Sequence, residues 1–183
     1  MPSGASVIAV EPAAGMRAEL ERAVGGVEVR AGSAEAIPLP DASVDALTVA
    51  QAFHWFRFEE AIPEIRRVLR RGGALALLWN EWDPDDPAVA AVDAVVEPLR
   101  DPRVRTRQWR TLLEATAHFG PVEQRRFPND EELPLALAVQ REATTSAVAA
   151  LSEDERKRVL VRIREALEPF GDPVRLRCWT DVY

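Results

Sequence analysis

Between Val7 and Asn80 the chain switches repeatedly between two hydrophobic periods, short β-branched runs and stretches with helical spacing. Val7–Val10 has the composition of a buried strand and is closed by Glu11-Pro12. From Pro12 to Val24 the period becomes helical: Met16, Leu20 and Val24 fall on one helix face. Pro12 suits a first turn, where its missing N–H costs nothing, and Gly25-Gly26 ends the segment. Val27–Ala31 predicts a second strand, followed by the turn Gly32-Ser33-Ala34-Glu35 and the segment Ile37-Pro38-Leu39-Pro40. Asp41-Ala42-Ser43 introduces a third strand over Val44–Ala50, and the aromatic residues Phe53, Trp55, Phe56 and Phe58 come next. A helix is predicted over Glu60–Arg71, with Ile62, Ile65, Val68 and Leu69 facing inward. Its last turn carries Arg66, Arg67, Arg70 and Arg71, cations that complement the helix dipole. Gly72-Gly73 closes that helix and opens a strand over Ala74–Trp79. Strand and helix in alternation predict an α/β fold built on a parallel sheet, because parallel strands need crossover connections.

Beyond Asn80 the pattern changes. Glu81-Trp82-Asp83-Pro84-Asp85-Asp86-Pro87 is an acidic, proline-rich loop. Helices are predicted over Ala88–Leu99, Trp109–Phe119, Asp130–Ala150 and Ser152–Leu167, with a strand over Val122–Phe127. Ser152 and Glu155 have capping-box spacing. The turn Gly171-Asp172-Pro173 leads into a last strand, Val174–Val182. The expected organisation is one domain over residues 1–183, with a largely helical region at 81–170.

Composition narrows the function classes. With 47% hydrophobic and 29% charged residues, the chain can bury a core and is not disordered. Its longest uninterrupted apolar run, Ala74–Trp79, is far short of the roughly 20 residues that span a bilayer. Met1-Pro2-Ser3-Gly4 has neither the basic start nor the apolar stretch of a secretory signal. The single cysteine, Cys178, excludes an internal disulfide and a multi-cysteine zinc site, so a cytoplasmic location is expected. A net charge of −7 argues against general nucleic-acid binding. Lys157 is the one lysine among 23 basic residues, a bias that reads as GC-rich coding.

Four local features occur in order: a strand ending in an acid (Val7-Ile8-Ala9-Val10-Glu11), the turn Gly32-Ser33-Ala34-Glu35 before Ile37-Pro38-Leu39-Pro40, the strand entry Asp41-Ala42-Ser43-Val44-Asp45, and Val68-Leu69-Arg70-Arg71-Gly72-Gly73 before an apolar strand. This order resembles the class I S-adenosylmethionine-dependent methyltransferases. The likeness is to the small-molecule branch that includes the ubiquinone/menaquinone and trans-aconitate methyltransferases, in which Ala52-Phe53-His54-Trp55-Phe56 is similar to a recurring variant. It is clear over Val7–Asn80 and looser through the later helices and Val174–Tyr183. The implied fold is a Rossmann-like methyltransferase sheet, mostly parallel, with an antiparallel C-terminal strand.

Ligands of open parallel sheets bind at the carboxyl ends of the strands. Glu11 stands at such an end, and the resemblance assigns it the ribose diol of S-adenosylmethionine; its alternatives are a plain surface carboxylate or the acid of a nicotinamide enzyme. The resemblance places Ser33 and the Ala34 N–H at the adenine edge, with Ser33 where an aspartate is frequent; otherwise they form an ordinary turn. Pro12, Met16, Glu35, Gln51 and Ala52 complete the expected cofactor set. Met16 and Ile37 suit either apolar ligand contacts or core packing. His54, Trp55, Asn80 and Trp82 are the expected substrate side. No base is assigned: His54 is the candidate, against simple local packing, since methyl transfer often relies on alignment alone. Trp79 is either core or part of the acceptor wall. His118 is expected to be structural within a helix, Asp83–Asp86 a solvated loop and not a metal site, and Cys178 a small buried hydrophobe.

One family element is not found. The nine glycines contain no Gly-x-Gly arrangement, so the glycine-rich loop after the family's first strand is absent from this sequence. The family order is 3-2-1-4-5-7-6, which makes that strand central. The expectation is an N-terminally truncated methyltransferase domain whose second and fourth strands pair directly, recruit a second chain or rearrange, since buried backbone groups must be satisfied. A homodimer through the incomplete sheet is expected, with a small-molecule acceptor as the other partner. The alternatives are an inactive fragment that acts by association and a truncated NAD-dependent Rossmann enzyme.

Overall fold

The computed structural model describes residues 4–100, 109–116 and 118–183. These form two compact units, residues 1–77 with 109–122 and residues 78–108 with 123–183, divided within one long strand.

In the first unit, β1 (Val7–Glu11) and β2 (Val27–Ala31) pair in parallel, with Val7 opposite Val27 and Glu11 opposite Ala31. Helix α1 (Ala14–Ala23) links them as a crossover. Strand β3 (Val44–Ala50) lies beside β4 (Leu69–Trp82), and α2 (Phe58–Val68) joins the two. Helix α2 buries Ala61, Ile62, Ile65 and Val68, the stripe expected from spacing. Glu59 and Glu60 lie in its first turn and Arg66 and Arg67 in its last, both matched to the helix dipole. A 3-10 turn over Phe53–Trp55 precedes α2, and α4 (Trp109–Ala115) adds Trp109 and Leu113 to the same core.

In the second unit, Leu78–Trp82 of β4 pair antiparallel with β8 (Cys178–Val182), which pairs antiparallel with β5 (Arg125–Pro128). A separate antiparallel pair joins β6 (Glu131–Leu133) to β7 (Val174–Leu176). The core lies among α3 (Pro87–Val96), α5 (Leu135–Glu142), α6 (Ser146–Ala149) and α7 (Glu153–Leu167). Ser152 and Glu155 form the predicted capping box on α7.

The fold is the expected α/β class. Strand order reads β1-β2 in one sheet and β3-β4-β8-β5 in another, and the C-terminal strand is antiparallel as predicted. Among the described residues β1 and β3 share no ladder, so direct pairing of the family's second and fourth strands does not occur. The consequence is visible in burial: no residue of α1 is buried, and every residue of β1 remains partly exposed.

Several boundaries differ from expectation. The helix predicted to reach Arg71 stops at Val68, because Leu69 turns extended and Gly72 takes φ +79°; β4 therefore runs from Leu69 to Trp82. The helix predicted over Asp130–Ala150 is three elements. Residues 131–133 pair with β7, Pro134 precedes α5, and the Thr144 and Thr145 hydroxyls donate to the Arg141 and Glu142 carbonyls where α5 ends. The final strand breaks at Arg177, whose carbonyl accepts from the Asp83 N–H. Residues 1–3, and Ala117 within the helix predicted over Trp109–Phe119, lie outside the described residues. No helix among those described is long and apolar enough to cross a membrane.

Glu142 is a buried acid in the second unit. Burial pushes its carboxyl above the ordinary range; Arg141 and Arg100 oppose the shift and Asp93 adds to it. A raised folded-state value favours the native state at low pH, and that contribution is lost as pH rises through it. Glu142→Gln is therefore expected to raise the melting temperature by a few degrees at neutral pH. The gain should vanish below the ordinary carboxylate range, as thermal melts across pH will show.

Candidate functional site

The site begins where β1 ends. The Glu11 carboxylate accepts the Ala13 N–H at 2.8 Å, which bends the chain into α1. The Arg17 guanidinium donates to the carbonyls of Glu11 at 2.9 Å and Pro12 at 2.7 Å, fixing the same corner. Because Glu11 is in register with Ala31, it is next to the start of the Gly32–Glu35 turn, at the carboxyl end of a parallel pair.

Gly32 is required there by space. A Cβ at this position would lie 2.6 Å from Pro38 Cδ and 3.0 Å from Val10 Cγ1. Gly32→Ala is expected to cost about 1–3 kcal/mol, as overpacking does, measurable by chemical denaturation. Ser33 and Ala36 close the turn with reciprocal backbone bonds of 3.4 and 3.2 Å. Ser33, Ala34 and Glu35 are all half-buried.

Glu35 accepts the Arg57 N–H at 3.0 Å, and its side chain is 11% exposed. The Arg57 N–H above all holds its carboxyl below the usual range against the effect of burial. The following segment is tied to α2. Glu64 accepts the Ile37 N–H at 3.0 Å, and Arg67 donates to the carbonyls of Ile37 at 3.0 Å and Leu39 at 2.8 Å and to the Asp41 carboxylate at 2.7 Å. Glu64 and Arg67 also pair with each other at 2.7 Å, and Arg67 holds the Glu64 carboxyl low.

At the end of β3, Gln51 adopts φ +55°, a left-handed conformation uncommon outside glycine. It reverses the chain into the 3-10 turn. Phe53 is fully buried, edge-to-face with Phe56 at 5.5 Å, Phe58 at 5.0 Å and Trp109 at 6.1 Å. His54 and Trp55 are exposed, with ring centres 4.9 Å apart.

The eight expected cofactor residues, Glu11, Pro12, Met16, Ser33, Ala34, Glu35, Gln51 and Ala52, all belong to the first unit. The described contacts join the turn after β2 to the segment after β3 through Glu35. Met16 is 63% exposed, so its core-packing alternative is not realised, whereas Ile37 is buried. The substrate-side candidates divide, with His54 and Trp55 in the first unit and Asn80 and Trp82 in the second. Asn80 Oδ1 accepts the Thr180 hydroxyl at 2.8 Å. Trp82 packs against the helical core and carries the Arg141 guanidinium 4.4 Å above its ring. Trp79 is buried and meets Tyr183 edge-to-face at 5.6 Å.

Three expectations are corrected. The acidic loop is not simply solvated: Asp86 is buried, caps α3 by accepting from Ala88 and Val89, and together with Asp83 pairs with Arg177. Glu81 and Trp82 belong to β4 and not to that loop. His118 is not helical but lies in an exposed turn beyond α4. Cys178 is buried, and burial pushes its thiol up, as for a packing residue. Sequence reasoning missed the Glu64–Arg67 clamp; its only signal was an i,i+3 charge pair on a helix otherwise facing the core.

Known proteins resemble this chain in sequence and in fold. A methyltransferase domain family matches residues 1–77. An uncharacterized methyltransferase-like protein of Schizosaccharomyces pombe is 34% identical over 160 residues, covering 87% of this chain and 62% of the relative. An uncharacterized methyltransferase of Mycobacterium bovis is 40% identical over 126 residues, covering 64% of this chain and 52% of its own length. The solved structure of an inferred type II methyltransferase from Anaeromyxobacter dehalogenans superposes with a TM-score of 0.68 at 26% identity, covering 97% of this chain and 77% of that one. These matches support a class I S-adenosylmethionine-dependent methyltransferase. The chain spans less than two thirds of the length of these curated relatives.

Proposed function

We propose that this chain carries part of the cofactor site of an enzyme that transfers a methyl group from S-adenosylmethionine to a small-molecule acceptor. The observation that carries this reading is the convergence of Glu11, the Gly32–Glu35 turn and the segment after β3 in one unit, with Glu11 opposite Ala31 and Glu35 bonded to Arg57. The donor set fits the cofactor. Glu11 offers a strand-end carboxylate to a ribose diol, Ser33 a hydroxyl and Ala34 an N–H to the adenine edge, and Gln51 and Ala52 a neighbouring backbone turn. When bound, the cofactor supplies an electrophilic methyl on a sulfonium. The protein's own contribution is alignment and exclusion of water. His54 and Trp55 form the acceptor side within the first unit.

Calorimetric titration with S-adenosylhomocysteine tests this reading, with NAD as competitor. Binding in the micromolar range that NAD does not displace is expected. NAD binding in its place would favour the nicotinamide alternative. No binding, either by this chain or by one extended with an upstream glycine-rich segment, would overturn the assignment.

A second reading concerns assembly. Among the described residues β1 and β3 are each terminal in their sheets, and unpaired strand edges recruit other strands. We propose that two copies associate through these edges in the cytoplasm. Light scattering should then give twice the 20.3 kDa chain mass, and a monomer at all concentrations would refute it.

A further inference from the structure

We propose that Glu35 is a positioning residue: it fastens the turn after β2 to the first turn of α2, so that the Ser33–Ala34 edge and the aromatic segment 53–56 behave as one wall. This rests on the proposed cofactor site, and it assigns Glu35 a role other than direct contact with the ligand.

The carboxylate is committed within the protein. It takes the Arg57 backbone N–H at 3.0 Å, and its side chain is only 11% exposed. Arg57 is the N-cap of α2 and directly follows Phe56, so its N–H marks the end of the aromatic segment. One of the orphan donors at the start of a helix is thereby satisfied from a residue 22 positions earlier. A negative charge at that helix end is further favoured by the macrodipole. Glu35 belongs to the same turn as Ser33 and Ala34, the proposed adenine edge, so its bond to Arg57 ties that turn directly to the segment after β3.

The link is to the backbone and not to the guanidinium. The Arg57 side chain is directed at Glu60, with contacts of 2.6 and 2.9 Å, while its Nη1 lies 3.9 Å from Glu35. Removing that side chain should therefore leave the fastening in place, whereas removing the Glu35 carboxylate should release it. Glu64 and Arg67 anchor the chain further along, at Ile37, Leu39 and Asp41, and would keep the β2–α2 connection folded when Glu35 is changed.

The test compares Glu35→Ala, Glu35→Gln and Arg57→Ala by amide hydrogen exchange of the free protein and by S-adenosylhomocysteine affinity. In Glu35→Ala the amide at position 57 should exchange at least about tenfold faster, the loss expected for a hydrogen bond to a charged group. Glu35→Gln retains an acceptor oxygen and should recover most of the protection; Arg57→Ala should behave as wild type. Ligand affinity should fall in the same order as protection is lost. Unchanged protection at position 57 in Glu35→Ala overturns the proposal, and so does a Glu35→Gln variant that weakens ligand binding with protection intact, since Glu35 would then act on the ligand directly. If the wild-type chain binds no ligand, the cofactor reading fails while the exchange measurement still decides the fastening. Far-UV circular dichroism separates local release from global unfolding, and Glu35→Gln remains informative if Glu35→Ala does not fold.

Discussion

Phe53→Ala is expected to destabilise the first unit by about 3–5 kcal/mol, the range for truncating a fully buried aromatic ring. The side chain is completely buried, and its three aromatic neighbours come from three different places: Phe56 beyond the 3-10 turn, Phe58 at the start of α2 and Trp109 on α4. Edge-to-face pairs contribute about 0.5–1.5 kcal/mol each beyond the area they bury. Domains of this size have total stabilities of roughly 5–15 kcal/mol, so the loss is a large share of the whole. Phe53→Leu should recover part of it by refilling the volume. Chemical denaturation followed by circular dichroism checks both, and a loss below about 1 kcal/mol would show that the cluster collapses around the gap. The functional consequence follows from position: Phe53 sits two residues after Gln51 and anchors the segment that ends at Arg57, the residue Glu35 holds.

Glu11→Ala is expected to weaken S-adenosylhomocysteine binding by about tenfold or more, since hydrogen bonds to a charged group are worth roughly 1.5–3 kcal/mol. Its effect on folding should be smaller. The carboxylate makes one local contact, with the Ala13 N–H, and Arg17 holds the corner through backbone carbonyls that the substitution leaves in place. Glu11→Gln should lie between, keeping an acceptor but losing the charge. Titration calorimetry of the three proteins, paired with thermal melts, separates binding from stability. Equal affinity in all three would remove Glu11 from the site.

The elements were legible where the apolar pattern is local and regular. Ile62, Ile65 and Val68 recur at helical spacing and line the buried face of α2. Val7–Val10 is a continuous apolar run and Val27–Ala31 alternates, with Val27 and Val29 on one face, and the two strands pair in parallel. Element ends were less legible, because they depend on partners distant in sequence. Glu131–Leu133 read as helix until β7, more than forty residues later, gave their backbone a ladder. Leu69–Gly73 read as the end of a helix because arginines suit a helix C-terminus, yet the same residues are extended within β4, with Arg70 bonded to Asp45. The individual pieces of the site were visible as local motifs at strand ends. Their connections were not: Glu35 to Arg57 spans 22 residues and Arg67 to Ile37 spans 30, and no local periodicity reports such contacts. Met16 illustrates the converse. Its spacing on a helix face suggested burial, but α1 buries none of its residues, so amphipathic position did not decide exposure.

The central claim is that the carboxyl ends of β1, β2 and β3 in the first unit form the cofactor face. Backbone amide shifts recorded while S-adenosylhomocysteine is titrated into the isotopically labelled chain test it most directly. The predicted result is a contiguous set of shifts at Glu11, Ser33, Ala34, Gln51 and Ala52, with α7 and β7 unaffected. Saturable shifts confined to the second unit, or to the opposite ends of those strands around Val7, Val27 and Val44, would contradict it.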